Sequence, residues 1–152
     1  MQFVGDAVMA VFGAPVPSDD HADRAVVAAA SMHAMQNEIN LRWETEGLPA
    51  FGLGIGLSTG DVAAALLGSE ERLEYTLVGD TVNLTQRLQQ LASAGETVIS
   101  GPTKSALVLD VETVELDAQL VKGRDTPVVA YKILALTREE PSFSSASEGD
   151  TP

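Results

Sequence analysis

A carboxylate that could hold a metal ion lies near the start of the chain, in the segment FVGDAVMAVFG, residues 3–13. The apolar residues on both sides of Gly5-Asp6 predict a tight β-hairpin over residues 1–12, with these two residues at the bend. Two paired strands would hold Asp6 in place and leave its oxygens free to meet a hard cation such as Mg²⁺. Gly-Asp is also a common turn sequence whose carboxylate usually faces water, so the segment alone favours a plain turn.

A second group of polar residues, Asn83 and Arg87, lies in the block EYTLVGDTVNLTQRL, residues 74–88. Three leucines at helical spacing form a stripe that should face the core: Leu84, Leu88 and Leu91. Asn83 and Arg87 are four residues apart, so they form a polar row beside that stripe, at the edge of a cleft rather than on the far solvent side. An amide and a guanidinium placed there could hold a ribose oxygen and a phosphate, whereas spacing alone favours an ordinary amphipathic helix.

The longest predicted helix begins at Ser18 or Asp19, either of which can cap it, and runs to about Trp43. Apolar residues recur along it at helical spacing: Ala22, Ala25, Ala29, Met32, Met35 and Ile39. Gly47 and Pro49 are expected to close this helix.

The rest of the pattern predicts strands and two shorter helices. The strands are expected at Phe51–Ser58, Asp61–Leu67, Arg72–Val78, Thr97–Ser100, Val111–Leu116 and Pro127–Leu134, and the helices from Asp80 or Thr81 to about Ala94 and at Pro102–Leu107. Gly68-Ser69 is expected to join the strands at 61–67 and 72–78. Hairpins, rather than strict βαβ alternation, indicate the α+β class.

The composition favours one domain with one core. The chain has 152 residues, of which 45% are hydrophobic, and the domain is expected over residues 1–136. From Arg138 onward the sequence is rich in Ser, Glu, Pro and Gly. This composition predicts a disordered tail or linker over residues 137–152, and a junction with a further C-terminal domain.

Charge and cysteine content exclude several classes of function. A net charge of -13 with only nine Lys and Arg residues disfavours a nucleic-acid binder. No apolar run approaches the roughly 20 residues that a membrane span needs, and the first ten residues lack the basic region of a secretory signal. The absence of cysteine excludes disulfides and thiolate metal sites and fits a cytoplasmic protein.

Several common catalytic motifs are missing from the sequence. There is no GxxxxGK[ST] phosphate loop and no GxSxG nucleophile motif. The glycines of GLGIGLSTG, residues 52–60, do not follow the GxGxxG order and lie inside a predicted strand, which disfavours a dinucleotide site. His21 and His33 have no second ligand pair, so we interpret both as solvated or packed helix residues rather than zinc ligands.

Taken together, the segments resemble the class III adenylate and guanylate (nucleotidyl) cyclase catalytic domain. Five segments carry the similarity, in family order: FVGDAVMAVFGAP, FGLGIGLSTGDVAAALLGS, EYTLVGDTVNLTQRL, GETVISGPTK and LVKGRDTPVVAYKI. The similarity extends over almost everything from residue 2 to about residue 135, and several spaced motifs in register are far more specific than any one of them.

The resemblance implies a ferredoxin-like α+β core with a mixed or antiparallel sheet, helices and a C-terminal subdomain. Such domains work as head-to-tail homodimers or with a related cyclase domain. The implied reaction is attack of the ribose 3′-oxygen on the α-phosphorus of ATP, in preference to GTP, which releases pyrophosphate and forms the 3′,5′-cyclic nucleotide. The implied cofactors are two Mg²⁺ or Mn²⁺ ions, which can activate the attacking oxygen and stabilise the leaving phosphate.

The same resemblance implies roles for individual residues. Asp6 matches the second of two metal-binding aspartates. Asn83 and Arg87 match a pair, contributed by the opposite subunit, that orients the ribose and neutralises charge on the α-phosphoryl oxygens. Lys122 matches a lysine that contacts the terminal phosphates, although a solvated residue at a strand end fits equally well. Arg124 could assist it, in a place where the family usually has a second lysine.

Base choice rests on Gln2 and Thr76. In the family, adenylate cyclases pair a Lys before the Gly-Asp hairpin with an Asp, Thr or Ser on a later strand, and guanylate cyclases typically use Glu and Cys. Thr76 fits the adenine pattern, because its hydroxyl can meet the exocyclic amine or a ring nitrogen. The amide of Gln2 can donate or accept a hydrogen bond, so this residue does not distinguish adenine from guanine.

The first metal-binding aspartate of the family belongs to an initial central strand that this sequence does not contain. Without that strand and the helices after it, the hairpin over residues 1–12 would expose unpaired backbone groups. We therefore expect the isolated chain to be marginally stable, to self-associate and to be inactive alone. Two alternatives stay open: a non-catalytic cyclase-homology module that binds nucleotide or a partner domain, and a plain ferredoxin-like interaction domain.

Overall fold

Strands and helices are interleaved along the chain, with hairpins at two places. The computed structural model describes residues 2–4, 7–14, 16–69, 72–117 and 128–136. Its elements are β1 (Gln2–Val4), β2 (Ala7–Met9), α1 (His21–Thr45), β3 (Ile55–Leu57), β4 (Ala63–Ser69), β5 (Arg72–Val78), α2 (Asp80–Leu91), β6 (Thr97–Ser100), α3 (Gly101–Ala106), β7 (Val111–Glu115) and β8 (Ala130–Leu136). Within these ranges, no helix combines the length and the apolar character needed to cross a bilayer.

A four-stranded mixed sheet forms the centre of the fold, in the order β3-β6-β8-β7. β3 and β6 are parallel, and β8 pairs antiparallel with both β6 and β7. β6 is buried along its whole length, since it lies inside the sheet and α2 and α3 pack against it. A mixed sheet with packed helices confirms the predicted α+β class.

The core lies between α2 and this sheet. Leu84 and Leu88 are 5% and 1% exposed and pack with Val98 and Ala130. Leu91, which was predicted on the same stripe, is 38% exposed, so that prediction is wrong. It is the last residue of the helix, and the residue after it, an alanine, packs against the core in its place.

Only the first part of α1 is buried. Ala22, Val26 and Ala29 are buried, whereas Met32 and Met35 are 44% and 64% exposed. The predicted apolar face is therefore correct near the start of the helix and wrong at the two methionines. Beyond Ala29 the half-buried positions include polar residues one turn apart, His33, Gln36 and Asn40. The covered face of α1 therefore passes through these positions, and the two methionines lie beside it.

The ends of α1 agree only in part with the prediction. Asp20, rather than Ser18 or Asp19, is the N-cap, and it makes no side-chain capping hydrogen bond. The Ser18 hydroxyl donates to the Asp20 carboxylate, and this hydrogen bond holds the pKa of Asp20 below its ordinary value. At the other end Gly47 has a φ of 78°, a left-handed conformation that suits glycine, and it closes the helix as predicted.

Both predicted hairpins are present. β1 and β2 pair antiparallel up to Val4–Ala7, and the residues between them, Gly5 and Asp6, lie outside the described residues. β4 and β5 pair antiparallel as far as Ser69–Arg72. Gly68 and Ser69 are therefore strand residues rather than the predicted junction, because backbone pairing can continue through residues of low strand propensity.

β3 is shorter than the strand predicted over residues 51–58, since only Ile55–Leu57 pair with β6. The backbone groups before β3 form hydrogen bonds with other parts of the chain. The N–H and carbonyl of Phe51 bond to the Asn40 side chain at 2.8 and 2.9 Å, and the Leu53 carbonyl accepts from the Gly95 N–H at 2.7 Å. Backbone groups paired in this way have no further need of a strand partner.

Candidate active site

α2 places Asn83 and Arg87 on the surface of the chain. The helix follows Gly79, whose φ of 140° is one that residues with a side chain rarely adopt. Each member of the pair directly precedes one of the buried leucines, Leu84 and Leu88, and both are exposed. Residues four apart lie on one side of a helix, one turn from each other. In the described part of the chain the pair is thus exposed beside the buried stripe, and its place at the edge of a cleft stays a prediction.

The side chains of this pair keep most of their hydrogen-bonding capacity. Nη1 of Arg87 donates to Oε1 of Gln90 at 3.2 Å, and among the described residues no carboxylate forms an ion pair with it. The Asn83 amide side chain makes no hydrogen bond within the same residues. A guanidinium with several unused donors can bind a phosphate through two parallel hydrogen bonds.

A strip of small residues lies against another side of α2. Every second residue of this small-residue strip is Gly or Ser: Gly52, Gly54, Gly56, Ser58 and Gly60. A Cβ atom added at Gly56 would lie 2.3 Å from the backbone nitrogen of Gln89, so strand and helix backbones touch there. Ser58 Oγ donates to the Thr81 carbonyl at 3.0 Å, and Thr85 Oγ1 donates to the same oxygen at 2.7 Å.

Sequence reasoning missed the role of this strip. The glycines of GLGIGLSTG, residues 52–60, do not follow the order of a dinucleotide motif. Their spacing contains a different signal, because residues two apart in an extended segment lie on one face. A face built only of Gly and Ser indicates a surface where another backbone approaches closely.

The described residues bring together only two of the predicted site residues, Asn83 and Arg87. Asp6, Lys122 and Arg124 lie outside the described residues, as does the predicted tail over 137–152. Gln2 and Thr76 lie in β1 and β5, where only their paired backbones are described. The roles of these five residues stay predictions.

The structure does not assemble a metal centre from the residues that it describes. Among them, no group of three or more His, Cys, Asp or Glu side chains is placed to hold a metal ion. His33 is a packed helix residue, as predicted, with Nε2 3.0 Å from Thr97 Oγ1. Asp6 falls outside this part of the chain, and its metal role stays a prediction.

The chain as a whole is similar in sequence to known proteins. A family model described as Adenylate and Guanylate cyclase catalytic domain matches residues 1–135. Adenylate cyclase 1 of Rhizobium meliloti (strain 1021) is 33% identical to the chain over 140 residues. That match covers 91% of this chain and 21% of the Rhizobium protein, so the chain spans about a fifth of that relative's length.

Solved cyclase structures share the fold. The guanylyl cyclase Cya2 has a TM-score of 0.83 and 32% identity, covering 92% of this chain and 71% of its own. The adenylyl cyclase CyaB from P. aeruginosa has a TM-score of 0.82 and 30% identity, covering 90% and 71%. The guanylate cyclase domain of RhGC from Catenaria anguillulae, solved in complex with GTP, has a TM-score of 0.71 and 34% identity, covering 82% and 65%.

Proposed function

Because the chain belongs to the adenylate and guanylate cyclase catalytic domain family, we propose that it forms a 3′,5′-cyclic nucleotide and pyrophosphate from a purine nucleoside triphosphate. We assign ATP as the substrate and two cyclase domains, either two copies of this chain or one with a related domain, as the active unit. We assign the protein to cyclic-nucleotide signalling in the cytoplasm. The exposed Asn83–Arg87 pair on α2 is the observation that carries the proposal.

The reaction joins the ribose 3′-oxygen to the α-phosphorus of the same nucleotide. The bond from the α-phosphorus to the oxygen that bridges it to the β-phosphate breaks, and pyrophosphate leaves with that electron pair. The proton of the 3′-hydroxyl passes to solvent. Because no covalent enzyme intermediate is needed, catalysis consists of positioning the two reacting atoms and stabilising charge on the phosphoryl oxygens.

Asn83 and Arg87 supply these two effects from side chains that form a single hydrogen bond among the described residues, from Arg87 to Gln90. The Asn83 amide can hold the ribose so that its 3′-oxygen faces the phosphorus. The Arg87 guanidinium is a permanent planar cation that can neutralise the α-phosphoryl oxygens. Both side chains are exposed, which suits contact with a nucleotide held mainly by a second copy.

We assign the metal ions to a carboxylate site that includes Asp6 of the other copy. A carboxylate is the hard oxygen ligand that Mg²⁺ and Mn²⁺ take, and in the sequence Asp6 lies between two strands that pair in register on either side of it. When bound, the ions lower the pKa of the attacking hydroxyl and neutralise charge on the triphosphate.

The remaining assignments concern the two ends of the nucleotide. We assign Lys122 and Arg124 to the terminal phosphates, where two cations would offset charge on the leaving pyrophosphate. Gln2 and Thr76 are assigned to the base. The choice of ATP over GTP rests on Thr76, whose hydroxyl can pair with the adenine edge.

Arg87→Ala is the most direct test. We expect kcat to fall about 100- to 1,000-fold, because the guanidinium acts on charge that is largest in the transition state. The measurement is cyclic AMP and cyclic GMP formation from ATP and GTP, with Mn²⁺ or Mg²⁺, in the longest form of the protein that its gene encodes. Arg42→Ala, which removes an exposed arginine from α1, is the matched control and should leave kcat unchanged.

A mixing experiment tests the two-copy arrangement. Asp6→Ala and Arg87→Ala should each be nearly inactive alone. An equal mixture should regain about a quarter of the wild-type activity, since half of the dimers are mixed and each mixed dimer has one intact site. An inactive mixture beside an active wild type would overturn the arrangement. A folded wild type that binds ATP but converts neither nucleotide would identify the non-catalytic module instead.

A further inference from the structure

The Ser58 hydroxyl connects the segment after β3 to the helix that carries Asn83 and Arg87. Ser58 is half-buried. Its Oγ donates to the Thr81 carbonyl at 3.0 Å and contacts the Thr85 hydroxyl. Thr81 and Thr85 are one turn apart on α2, so a single side chain holds two positions on one side of the helix.

Direct backbone contact holds the helix close to the strand at the same place. A Cβ atom at Gly56 would lie 2.3 Å from the Gln89 nitrogen and 2.8 Å from the Thr85 carbonyl oxygen. Added Cβ atoms elsewhere in the small-residue strip would meet the same helix or the turn after it: at Gly52, 2.8 Å from Ala94 Cβ; at Gly54, 2.9 Å from the Ala92 oxygen; at Gly60, 2.5 Å from Thr81 Oγ1. Ser58 is thus the one position of the strip whose side chain lies between the two elements.

The distance of α2 from the small-residue strip and the rotation of α2 about its own axis are set by different contacts. The glycines set how near α2 can come, but without side chains they themselves place little restriction on the rotation of the helix about its axis. Hydrogen bonds are directional, so the Ser58 contacts restrict that rotation. A rotation of about 10° moves an atom that is about 6 Å from the helix axis by about 1 Å, and a misplacement of about 1 Å can lower a rate about 100-fold.

We propose that Ser58 is a positioning residue for the cyclisation: through Thr81 and Thr85 its hydroxyl sets the rotation of α2 and thereby the directions of Asn83 and Arg87. The effect on rate rests on the proposed function. The effect on the helix does not, and the two can be measured separately.

A second hydroxyl in the molecule supplies a matched control. Thr97 Oγ1 on β6 lies 3.0 Å from His33 Nε2 on α1, which also connects a strand residue to a helix. α1 carries no residue proposed for catalysis. Ser58→Ala and Thr97→Val each remove one such hydroxyl with little change in side-chain volume, so a difference between them reports positioning rather than general stability.

The test combines kinetics with a distance measurement. Since the chain contains no cysteine, nitroxide labels can be attached through Arg87→Cys on α2 and Glu115→Cys on β7 without removing a native thiol. We expect Ser58→Ala to broaden the distribution of the 87–115 label distance, and Thr97→Val to leave it narrow. In the unlabelled protein Ser58→Ala should lower kcat about 10- to 100-fold, with KM changed less than about twofold, and Thr97→Val should preserve both constants.

A double variant, Ser58→Ala combined with Arg87→Ala, supplies a further readout. In Arg87→Ala, a second change of Ser58→Ala should lower kcat by clearly less than it does in the wild type, because one of the groups that it positions is gone. A label distribution in Ser58→Ala as narrow as in the wild type, or an equal kcat loss in Thr97→Val, would overturn the proposal. A wild type that makes no cyclic nucleotide would count against the proposed function, and the label distances would still decide whether Ser58 holds α2.

Discussion

α1 and α2 are attached to the same part of the molecule in different ways. α2 lies along the small-residue strip, with its backbone in direct contact with that of Gly56. α1 is about twice as long, and polar side chains along it bond to the rest of the chain. These contacts are Asp23 Oδ1 with the N–H groups of Val108 and Leu109 at 2.9 and 3.1 Å, His33 with Thr97 at 3.0 Å, and Asn40 with the backbone of Phe51 at 2.8 and 2.9 Å.

The difference shows what each helix can be used for. A side chain with two rotatable bonds can keep a helix near a sheet over a range of rotations, whereas a hydroxyl on a single rotatable bond, beside direct backbone contact, allows much less. A helix that only covers a core can adopt any rotation within that range. A helix that directs a catalytic side chain cannot, because the rate depends on placement of that side chain within about 1 Å. The pair proposed for catalysis, Asn83 and Arg87, is carried by the helix with the shorter and stiffer attachment.

The largest effect is expected from Gly56→Ala, which should break the attachment of α2. The added methyl group would meet backbone atoms of Thr85 and Gln89, which cannot rotate aside as a side chain can, so the helix must move away from β3. We expect a loss of about 1–3 kcal/mol in the free energy of unfolding, measured by chemical denaturation, and a kcat lower than in any α1 variant.

Gly101→Ala is the control for this change, because a Cβ atom added there meets nothing within 4 Å. It should retain both stability and kcat. Wild-type stability in Gly56→Ala would mean that backbone contact does not hold α2, and the contrast between the two helices would be lost.

A smaller effect, limited to stability, is expected from Asn40→Ala in α1. The change removes both hydrogen bonds to the Phe51 backbone, but these groups are exposed and water can replace the side chain. We expect the free energy of unfolding to fall by about 1 kcal/mol or less and kcat to stay within about twofold of the wild type. Asn37→Ala, at an exposed asparagine on the same helix, is the control. A kcat loss as large as that of Gly56→Ala would show that both helices position the catalytic pair.

The smallest effect is expected at Glu96, in the turn after α2. Its Oε1 accepts from the Ser93 N–H at 2.8 Å, and its Oε2 lies 3.1 Å from Lys132 Nζ. The Ser93 hydrogen bond and, second, the Lys132 contact hold the pKa of Glu96 below its ordinary value. Because the pKa is lower in the folded protein, the ionised carboxylate favours folding. This contribution is complete above the pKa of the unfolded carboxyl group and is lost as the pH falls through the lower folded value.

Glu96→Gln keeps an acceptor for Ser93 and removes the charge. We expect its Tm to lie slightly below that of the wild type at pH 7, by less than in Asn40→Ala, and the gap to close as the pH falls through the lowered pKa of Glu96. Added salt should also narrow the gap at pH 7, because the ion pair is partly exposed. A Tm difference of the same size at pH 7 and pH 3 would contradict the lowered pKa.

Local patterns predicted much of the secondary structure, and they failed where distant parts of the chain meet. β6 has the predicted bounds, and Leu84 and Leu88 are buried as predicted. The other element boundaries in the second half of the chain differ from the predicted ones by at most three residues. The burial of Met32 and Met35 was predicted wrongly, because the covered face of α1 passes through the polar residues His33, Gln36 and Asn40, and an apolar periodicity does not identify such a face.

The sequence by itself determined the α+β class, the cyclase family and the helix that bears Asn83 and Arg87. Periodicity, turn residues and the order of motifs are properties of neighbouring residues, so they can be read along one chain. Only the tertiary structure decided how that helix is held. Ser58 and Thr81 are 23 residues apart, and whether their atoms meet depends on the whole path of the chain between them.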